Sequence, residues 1–170
     1  MGAYTVPMDI QGRIGGSSLG YDIQATYTPP LVRGRIGGTQ IGKNILLNIE
    51  KQLVRGRIGG TTDGFDVNVT LGHHTEGRLG GNFVGQDIVF DVQGRELTGR
   101  FGGSSLGYDL HFRIENTHLA GRIGGNFDGK DLEIQGHAPA EVLALLGIIA
   151  FKVLQDDQQN SSAGSHSASY

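Results

Sequence analysis

One short glycine-rich motif recurs six times along the chain, and this repeat limits the possible folds more than any other feature. Each copy reads Gly-Arg, one apolar residue and Gly-Gly, with a further glycine six residues after the apolar one. A fixed period of about 22 residues indicates one supersecondary unit that is stacked or arranged around an axis. The apolar residues, which we call the anchors, are Ile14, Ile36, Ile58, Leu79, Phe101 and Ile123.

Each copy predicts two β-strands joined by a tight turn. Apolar residues alternate after the turn, as in Ile45, Leu47 and Ile49, and a period of two is typical of a strand with one buried face. Before the turn, the anchor shares its face with the glycine two residues earlier, so the motif arginine points outward. The Gly-Gly-x-x-x-Gly stretch predicts the turn, because glycine adopts positive φ without a steric clash. Six copies therefore predict twelve antiparallel strands.

A β-solenoid with a capping helix is the alternative fold. In a solenoid with one coil per repeat, the six motif arginines stack about 4.8 Å apart, so that like charges are adjacent. In a meander of hairpins, each arginine strand lies beside a strand that carries an acidic or amide residue, and cross-strand pairing favours this arrangement. These residues follow the anchors by eight positions: Asp22, Asn44, Asp66, Asp87, Asp109 and Asp131.

The C-terminal segment predicts what fills the space inside the strands. Pro139 precedes the stretch AEVLALLGIIAFKVLQ, in which 11 of the 14 residues from Glu141 to Leu154 are apolar. This pattern predicts a helix over 140–155 that is buried on all sides. The helix is shorter than the roughly 18 to 20 residues that span a bilayer, so we expect no transmembrane span. Residues 1–155 are expected to form a single domain, and the polar residues 156–170 a flexible tail.

The strand count predicts a closed barrel around this helix. Eight-stranded barrels are filled by their own side chains and sixteen-stranded barrels enclose a channel, so twelve strands leave space for a helix about 10 Å wide. We expect the glycine two residues before each anchor to face inward and to make room for the helix backbone. The expected fold class is all-β with one C-terminal helix: a closed antiparallel barrel of about twelve strands from six hairpin repeats, with the hydrophobic helix in its interior.

This architecture resembles the tubby-like barrels, the group that includes LURP-one-related proteins and phospholipid scramblases. In that family, twelve antiparallel strands wrap a hydrophobic C-terminal helix. The resemblance covers residues 3–155 and rests on the strand count and the helix AEVLALLGIIAFKVL. Because tubby proteins bind phosphoinositide head groups through basic residues, the resemblance implies a lipid- or anion-binding module. No family motif is matched, so no binding residue is carried over.

Four sets of residues are candidates for binding. Calcium is an alternative at the turns, since GGSSLGYD loosely resembles the calcium-binding nonapeptide of RTX proteins. The polar turn residues, among them Thr61 and Thr62, predict an anion-binding nest of backbone N–H groups. Four histidines near the opposite rim are candidate ligands for zinc or nickel, namely His73, His74, His118 and His137. The outward motif arginines are candidate ligand-binding residues, namely Arg13, Arg35, Arg57, Arg78, Arg100 and Arg122.

Composition limits the function further. A net charge of −3 argues against a nucleic-acid partner, and the absence of cysteine excludes disulfides and thiolate metal sites. The N-terminus lacks the basic and apolar segments of a secretory signal, so we expect a cytoplasmic protein. One residue repeated six times indicates structural duty, whereas an active site needs several different residues once each. We therefore expect a non-enzymatic scaffold or interaction module without cofactors, which binds an unknown protein or lipid partner and forms a possible homo-oligomer. The alternatives are a tubby-like lipid- or anion-binding module and a calcium-binding repeat protein.

Overall fold

A computed structural model of the protein describes residues 6–16, 19–37, 41–81, 84–103, 107–125 and 128–167, and for residues 161–167 it describes the backbone alone. Within these ranges the chain forms twelve strands and one helix. The strands are β1 (Met8–Ile14), β2 (Tyr21–Thr28), β3 (Leu31–Gly37), β4 (Gly42–Glu50), β5 (Leu53–Ile58), β6 (Phe65–Thr70), β7 (His74–Gly80), β8 (Gly85–Gln93), β9 (Glu96–Phe101), β10 (Tyr108–Glu115), β11 (His118–Ile123) and β12 (Lys130–Gly136), and the helix is α1 (Ala140–Ser167).

The strands form one closed antiparallel barrel. Each strand pairs with its neighbours in sequence, and β1 pairs with β12, from Ile10 opposite Gly136 to Ile14 opposite Leu132. Closure leaves no unpaired sheet edge, which in an open sheet would invite pairing with other chains. The predicted fold class is confirmed, and the antiparallel pairing of successive strands excludes the stacked solenoid.

The barrel has two rims of different chemistry. We call the end of the barrel at which the strands enter the glycine-rich turns the turn rim, and the end at the connections between repeats the connection rim. In the third repeat, whose turn is described throughout, Gly59 has a φ of 81°. A Cβ on Gly64 would overlap the carbonyl oxygen of Ile58. Both positions therefore require glycine, as the repeat predicts.

The inward faces of the strands follow the predicted alternation. All six anchors have 0% exposure. The residues four positions before the anchors are also buried, and in the fourth repeat this residue is Thr75. The Thr75 hydroxyl donates to the Gly72 carbonyl oxygen at 2.9 Å and accepts from the Gly72 N–H at 3.1 Å. This exchange satisfies the polar group, so a threonine is tolerated at an otherwise apolar position.

Helix α1 runs through the barrel from the connection rim to the turn rim. It starts shortly after β12 ends, and every residue from Val142 to Leu154 is buried. Near the turn rim, the Phe151 ring meets Phe101 and Tyr108 edge to face, with ring centroids 6.1 and 4.9 Å apart. The helix and the inward side chains thus form one apolar core.

The inward glycines have a different role from the one predicted. A Cβ at Gly56 would overlap the Leu46 carbonyl oxygen and lie 2.8 Å from the Leu47 Cα. The atoms nearest to such a Cβ belong to a neighbouring strand in all six repeats, and none belongs to α1. The glycines let the adjacent strands of successive hairpins approach closely, as glycine does at the corners of β-barrels. They are Gly12, Gly34, Gly56, Gly77, Gly99 and Gly121.

The helix is longer than the sequence predicts. We expected a helix over 140–155 and a flexible tail over 156–170, but α1 continues to Ser167. Residues 168–170 lie outside the described part. The additional turns extend a helix that is already nucleated inside the barrel, and extension adds one backbone hydrogen bond per residue without a new nucleation cost. The helix therefore extends beyond its apolar stretch, and the flexibility of residues 156–170 stays a prediction.

Candidate functional site

The motif arginines hold the turns of their own hairpins. In the third repeat, Arg57 Nη1 donates to Asp66 Oδ1 at 2.9 Å, and Arg57 Nη2 donates to the Gly60 carbonyl oxygen at 2.8 Å. The register sets this arginine directly opposite this acid, so the pair forms without distortion. One side chain thus links the second strand to the turn. The equivalent ion pairs are Arg13–Asp22, Arg78–Asp87, Arg100–Asp109 and Arg122–Asp131, at 2.6 to 2.7 Å.

Arg35 differs from the other five motif arginines. Its Nη1 donates to Asn44 Oδ1 at 3.0 Å, and the asparagine carries no charge. In the other repeats a carboxylate opposite the motif arginine neutralises its charge, whereas Asn44 does not neutralise that of Arg35.

Four arginines surround an exposed leucine on this part of the wall. Leu46 is 50% exposed on β4, and the register sets Arg33 of β3 and Arg57 of β5 directly beside it. Arg35 lies on β3 opposite Asn44, and Arg55 lies on β5 opposite Asn48. The two arginines are therefore diagonal neighbours of Leu46 on its two sides. We call these five residues the Leu46 face. It combines an apolar centre with a ring of guanidinium groups.

The charges of the Leu46 face are only partly balanced. Arg57 is paired with Asp66. Among the described residues, Arg33 and Arg55 have no ion-pair partner, and both are exposed. Of the outward charged residues on β3, β4 and β5, only Glu50, at the end of β4, is acidic. The wall is therefore locally basic although the whole chain is acidic.

Sequence reasoning missed this face because it followed the motif arginines alone. Arg33 and Arg55 stand two residues before the motif arginine, and this position holds arginine only in the second and third repeats. In the other repeats it holds Gln11, Glu76, Thr98 and Ala120. The two additional arginines are visible in the aligned repeats, but only the register shows that β3 and β5 place them on either side of Leu46.

The four predicted histidine ligands do not form a metal site. His74 and His118 lie at the starts of β7 and β11, which are separated by three strands in the barrel. His118 Nε2 lies 3.4 Å from Glu133, whereas His73 and His137 lie next to strand ends. Across the described ranges, no group of three or more His, Asp or Glu side chains could hold a metal ion. The histidines share a rim but do not converge.

His74 instead takes part in a local polar contact. Its Nδ1 lies 2.7 Å from Asp91 Oδ1, and its Nε2 lies 3.5 Å from Glu76. The hydrogen bond with Asp91, followed by that with Glu76, raises the pKa of His74 above its usual value of 6.5. The contact lies at the surface and ties β7 to β8.

The turn residues offer little support for calcium or anion binding. The acids that the calcium hypothesis needs are engaged with the motif arginines. In the third turn, Asp63 Oδ1 accepts from the Gly60 N–H at 2.9 Å, and this bond, followed by the charge of Lys43, lowers the pKa of Asp63. Thr61 and Thr62 are exposed. The other turn residues of the anion hypothesis, Ser17, Ser18, Thr39, Asn82, Ser104, Ser105 and Asn126, lie outside the described residues.

Polar contacts fix the helix where it leaves the turn rim. The Tyr21 hydroxyl donates to Asp157 Oδ2 at 2.6 Å, and Gln155 donates to the Tyr108 hydroxyl. Burial, together with the hydrogen bond and charge of Asp157, raises the pKa of Tyr21 to about 12. These contacts reach α1 from β2 and β10, so they hold it from two directions.

Lys152 adds a third contact at the same end. Its buried ammonium donates to Gln86 of β8 at 3.0 Å, pairs with Asp156 at 3.1 Å and lies 4.9 Å from the centre of the Phe65 ring. The lysine is thus satisfied inside the molecule. Open hollows of about 420 and 440 Å³ flank the helix here; Tyr108 and Gln155 line the first, and Lys152 and Asp156 line the second.

No protein-family model, no curated protein and no solved structure matches the chain. The tubby-like resemblance therefore stays a prediction, and the barrel around a C-terminal helix is the level at which the protein is classified. Among the described residues, no helix combines the length and the apolarity that crossing a membrane requires.

Proposed function

We propose that this chain is a non-enzymatic β-barrel interaction module that binds a protein partner through the Leu46 face. The proposal rests on one observation: a half-exposed leucine lies at the centre of four arginines. Protein interfaces combine an apolar centre with a polar rim, and arginine is enriched in them. The packed helix occupies the interior, so a partner binds at the surface of the molecule, and the Leu46 face lies on the outer wall.

The chemistry of the Leu46 face defines the kind of partner. Guanidinium groups pair with carboxylates through two parallel hydrogen bonds. The two arginines that have no ion-pair partner among the described residues, Arg33 and Arg55, are placed to receive such groups. The matching surface therefore carries an apolar side chain flanked by carboxylates.

The motif arginines support a structural rather than a catalytic role for the repeat. The same side chain performs the same task in each repeat and binds the residue opposite it. Where the turn carbonyl oxygen belongs to a described residue, the arginine also donates to it, as Arg13, Arg57, Arg78, Arg100 and Arg122 do. An active site instead brings several different groups to one place. The expectation of a non-enzymatic protein rests on this repetition.

The test uses a photo-crosslinking residue beside Leu46. We place it at Asn48, two residues along β4, and express the chain in the cells from which it comes. The matched control carries the probe at Gln135, which has the same position relative to its anchor on β12. We expect an identified protein to crosslink at position 48 but not at position 135.

A second variant shows whether the crosslink depends on the face. Arg33→Gln with Arg55→Gln removes the two arginines without introducing a new charge, and we expect it to abolish the crosslink from position 48. Equal crosslinking from positions 48 and 135, or a crosslink that survives the double substitution, would overturn the proposal.

A lipid- or anion-binding module is the second candidate. The observation that favours it is the same excess of arginine, because clustered guanidinium groups also bind phosphates. Co-sedimentation with phosphatidylcholine vesicles, with and without phosphatidylserine or a phosphoinositide, tests it. Binding that requires the anionic lipid and is lost in Arg33→Gln with Arg55→Gln would favour this function over protein binding.

A further inference from the structure

A second exposed apolar residue lies on the barrel wall at the equivalent position of another repeat. Val89 of β8 is 38% exposed and follows its anchor by ten residues, as Leu46 does. Among the described residues, Leu46 and Val89 are the only large apolar side chains exposed on strands. The others precede β1 or lie in turns, and they are Val6, Leu19, Ile41 and Val84.

The surroundings of Val89 are opposite in charge to those of Leu46. Asp87 and Asp91 flank Val89 along β8, and the register sets Glu76 of β7 and Arg100 of β9 beside it. We call these five residues the Val89 face.

The charge difference extends over the neighbouring strands. The outward residues of β7 to β9 include four carboxylates and two arginines, a difference of −2 when His74 is neutral; His74 contacts two of these carboxylates, Asp91 and Glu76. Those of β3 to β5 include four arginines and one carboxylate, a difference of +3. The charged residues on β7 to β9 are Glu76, Arg78, Asp87, Asp91, Glu96 and Arg100.

We propose that the Leu46 face of one copy of this chain binds the Val89 face of a second copy. This inference rests on the proposed function and names the partner. Each face has an apolar centre, so contact removes both side chains from water. Each face also has the charge that the other lacks, and complementary charges orient the two surfaces and suppress other pairings.

Self-association accounts for both faces at once. A phosphate-bearing ligand would explain the arginines but would leave the central leucine exposed and the Val89 face unused. A typical interface covers about 800 Å² on each partner. The Leu46 face spans three of the twelve strands, a quarter of the wall. Because the whole molecule has 10070 Å² of accessible surface, a quarter of its wall is large enough for such a contact.

The positions of the two faces limit the assembly. β4 and β8 are four strands apart in a ring of twelve, which is a third of a turn, or 120° about the barrel axis. The contact joins two different surfaces, so it is heterologous and extends from copy to copy. When the barrel axes are parallel, faces 120° apart close a ring of six copies.

Two neutralising variants test the contact by sedimentation velocity over a range of protein concentration. The first, Arg33→Gln with Leu46→Asn, removes the Leu46 face, and the second, Glu76→Gln with Val89→Asn, removes the Val89 face. We expect the unmodified chain to associate, more weakly at high salt, and each variant to associate about tenfold less tightly or not at all. Glu133→Asn, at the same repeat position on β12, is the matched control and should associate like the unmodified chain.

Mixing the two variants gives the decisive measurement. Each variant retains the face that the other lacks, so an equimolar mixture should form a heterodimer that does not grow further. Circular dichroism and thermal unfolding verify that both variants keep the fold, since all the replaced side chains lie on the outer wall. A monomeric unmodified chain at every concentration, or a mixture that stays monomeric while both variants are folded, would overturn self-association.

The outcome also separates this inference from the proposed function. If the crosslink from position 48 joins the chain to a different protein, the interaction module stands and self-association fails. If anionic vesicles bind the Leu46 face while the chain stays monomeric, both protein proposals fail and the anion-binding module replaces them. A crosslink from position 48 to the region around Val89 of another copy supports both.

Discussion

At the scale of single residues, glycine permits the close approach of successive hairpins in the wall. The inward glycine of each repeat lies where the preceding hairpin meets the next one, and the neighbouring backbone occupies the space of a Cβ. In Gly34 the obstruction includes the Ala25 Cα, at 2.6 Å. A side chain there would push adjacent strands apart and flatten the corner, so these positions are specified by the closure of the barrel.

Gly56→Ala and Gly99→Ala should therefore both destabilise the protein. The single added methyl group would overlap a carbonyl oxygen of the adjacent strand, and overpacking of this kind costs about 1 to 3 kcal/mol. Denaturant unfolding measures the effect. Gly103→Ala is the control, since a Cβ at Gly103 meets no atom within 4 Å, and its free energy of unfolding should be unchanged or slightly higher. Equal stability of all three variants would contradict the corner role.

At the scale of secondary-structure elements, α1 supplies the centre of the core. Strands with one apolar face cannot bury that face against one another across a twelve-stranded opening. The helix provides the missing surface with thirteen consecutive buried residues, 142–154. Its polar contacts at the turn rim, from Tyr21, Gln86 and Tyr108, set how far it enters the barrel.

Deletion of residues 139–170 should abolish the cooperative fold. The truncated chain would enclose an apolar cavity of helix size, and we expect aggregation or strong binding of the dye ANS. Deletion of 161–170 alone is the matched control, because it leaves every described side chain in place and should preserve the thermal transition. A soluble and cooperatively unfolding barrel without residues 139–170 would show that the helix is dispensable.

The contact between Tyr21 and Asp157 predicts a dependence on alkaline pH. The pKa of Tyr21 is raised from 10.0 to about 12, so the folded state favours the neutral phenol. The stabilising effect is complete below pH 10 and is lost as the pH rises from 10 to about 12. Thermal unfolding across this range should show that Tyr21→Phe loses less stability than the unmodified chain. Parallel loss in both would indicate that Tyr21 ionises at its ordinary pKa.

Comparison of α1 with the strands shows which structural features a single sequence can reveal. Alternation of side chains is local, so the burial of Ile14 and its equivalents follows from the repeat alone. The apolar composition of α1 likewise predicts its burial. The extension of α1 to Ser167 could not be predicted, because it depends on a helix already formed inside the barrel. The Leu46 face depends on which strands are adjacent, and only the paired register brings Arg33 and Arg55 together.

At the scale of the whole molecule, closure makes the six repeats interdependent. In a linear repeat protein each unit contacts only its neighbours, and stability is close to a sum over units. Here β1 pairs with β12, and the helix contacts strands from both ends of the chain. The number of repeats is therefore fixed by the circumference that encloses α1.

Removal of one repeat should consequently prevent folding. Deletion of 36–57 joins Arg35 to Ile58 and keeps the motif intact, but ten strands form a narrower barrel without space for the helix. We expect loss of the cooperative thermal transition. Replacement of 36–57 by a second copy of 14–35 keeps both the length and twelve strands, so it should still fold. A stable ten-stranded product would mean that the wall adapts to its contents.

The position ten residues after each anchor holds a different residue in every repeat. Its six occupants differ widely in size and polarity: Gln24, Leu46, Asn68, Val89, His111 and Glu133. All belong to strands whose inner residues are fixed by packing, yet this side chain is directed to solvent. Every repeat thus presents one outward side chain that core packing does not fix. Substitution at this position can therefore change what the outer wall binds, one repeat at a time, without a change in the core.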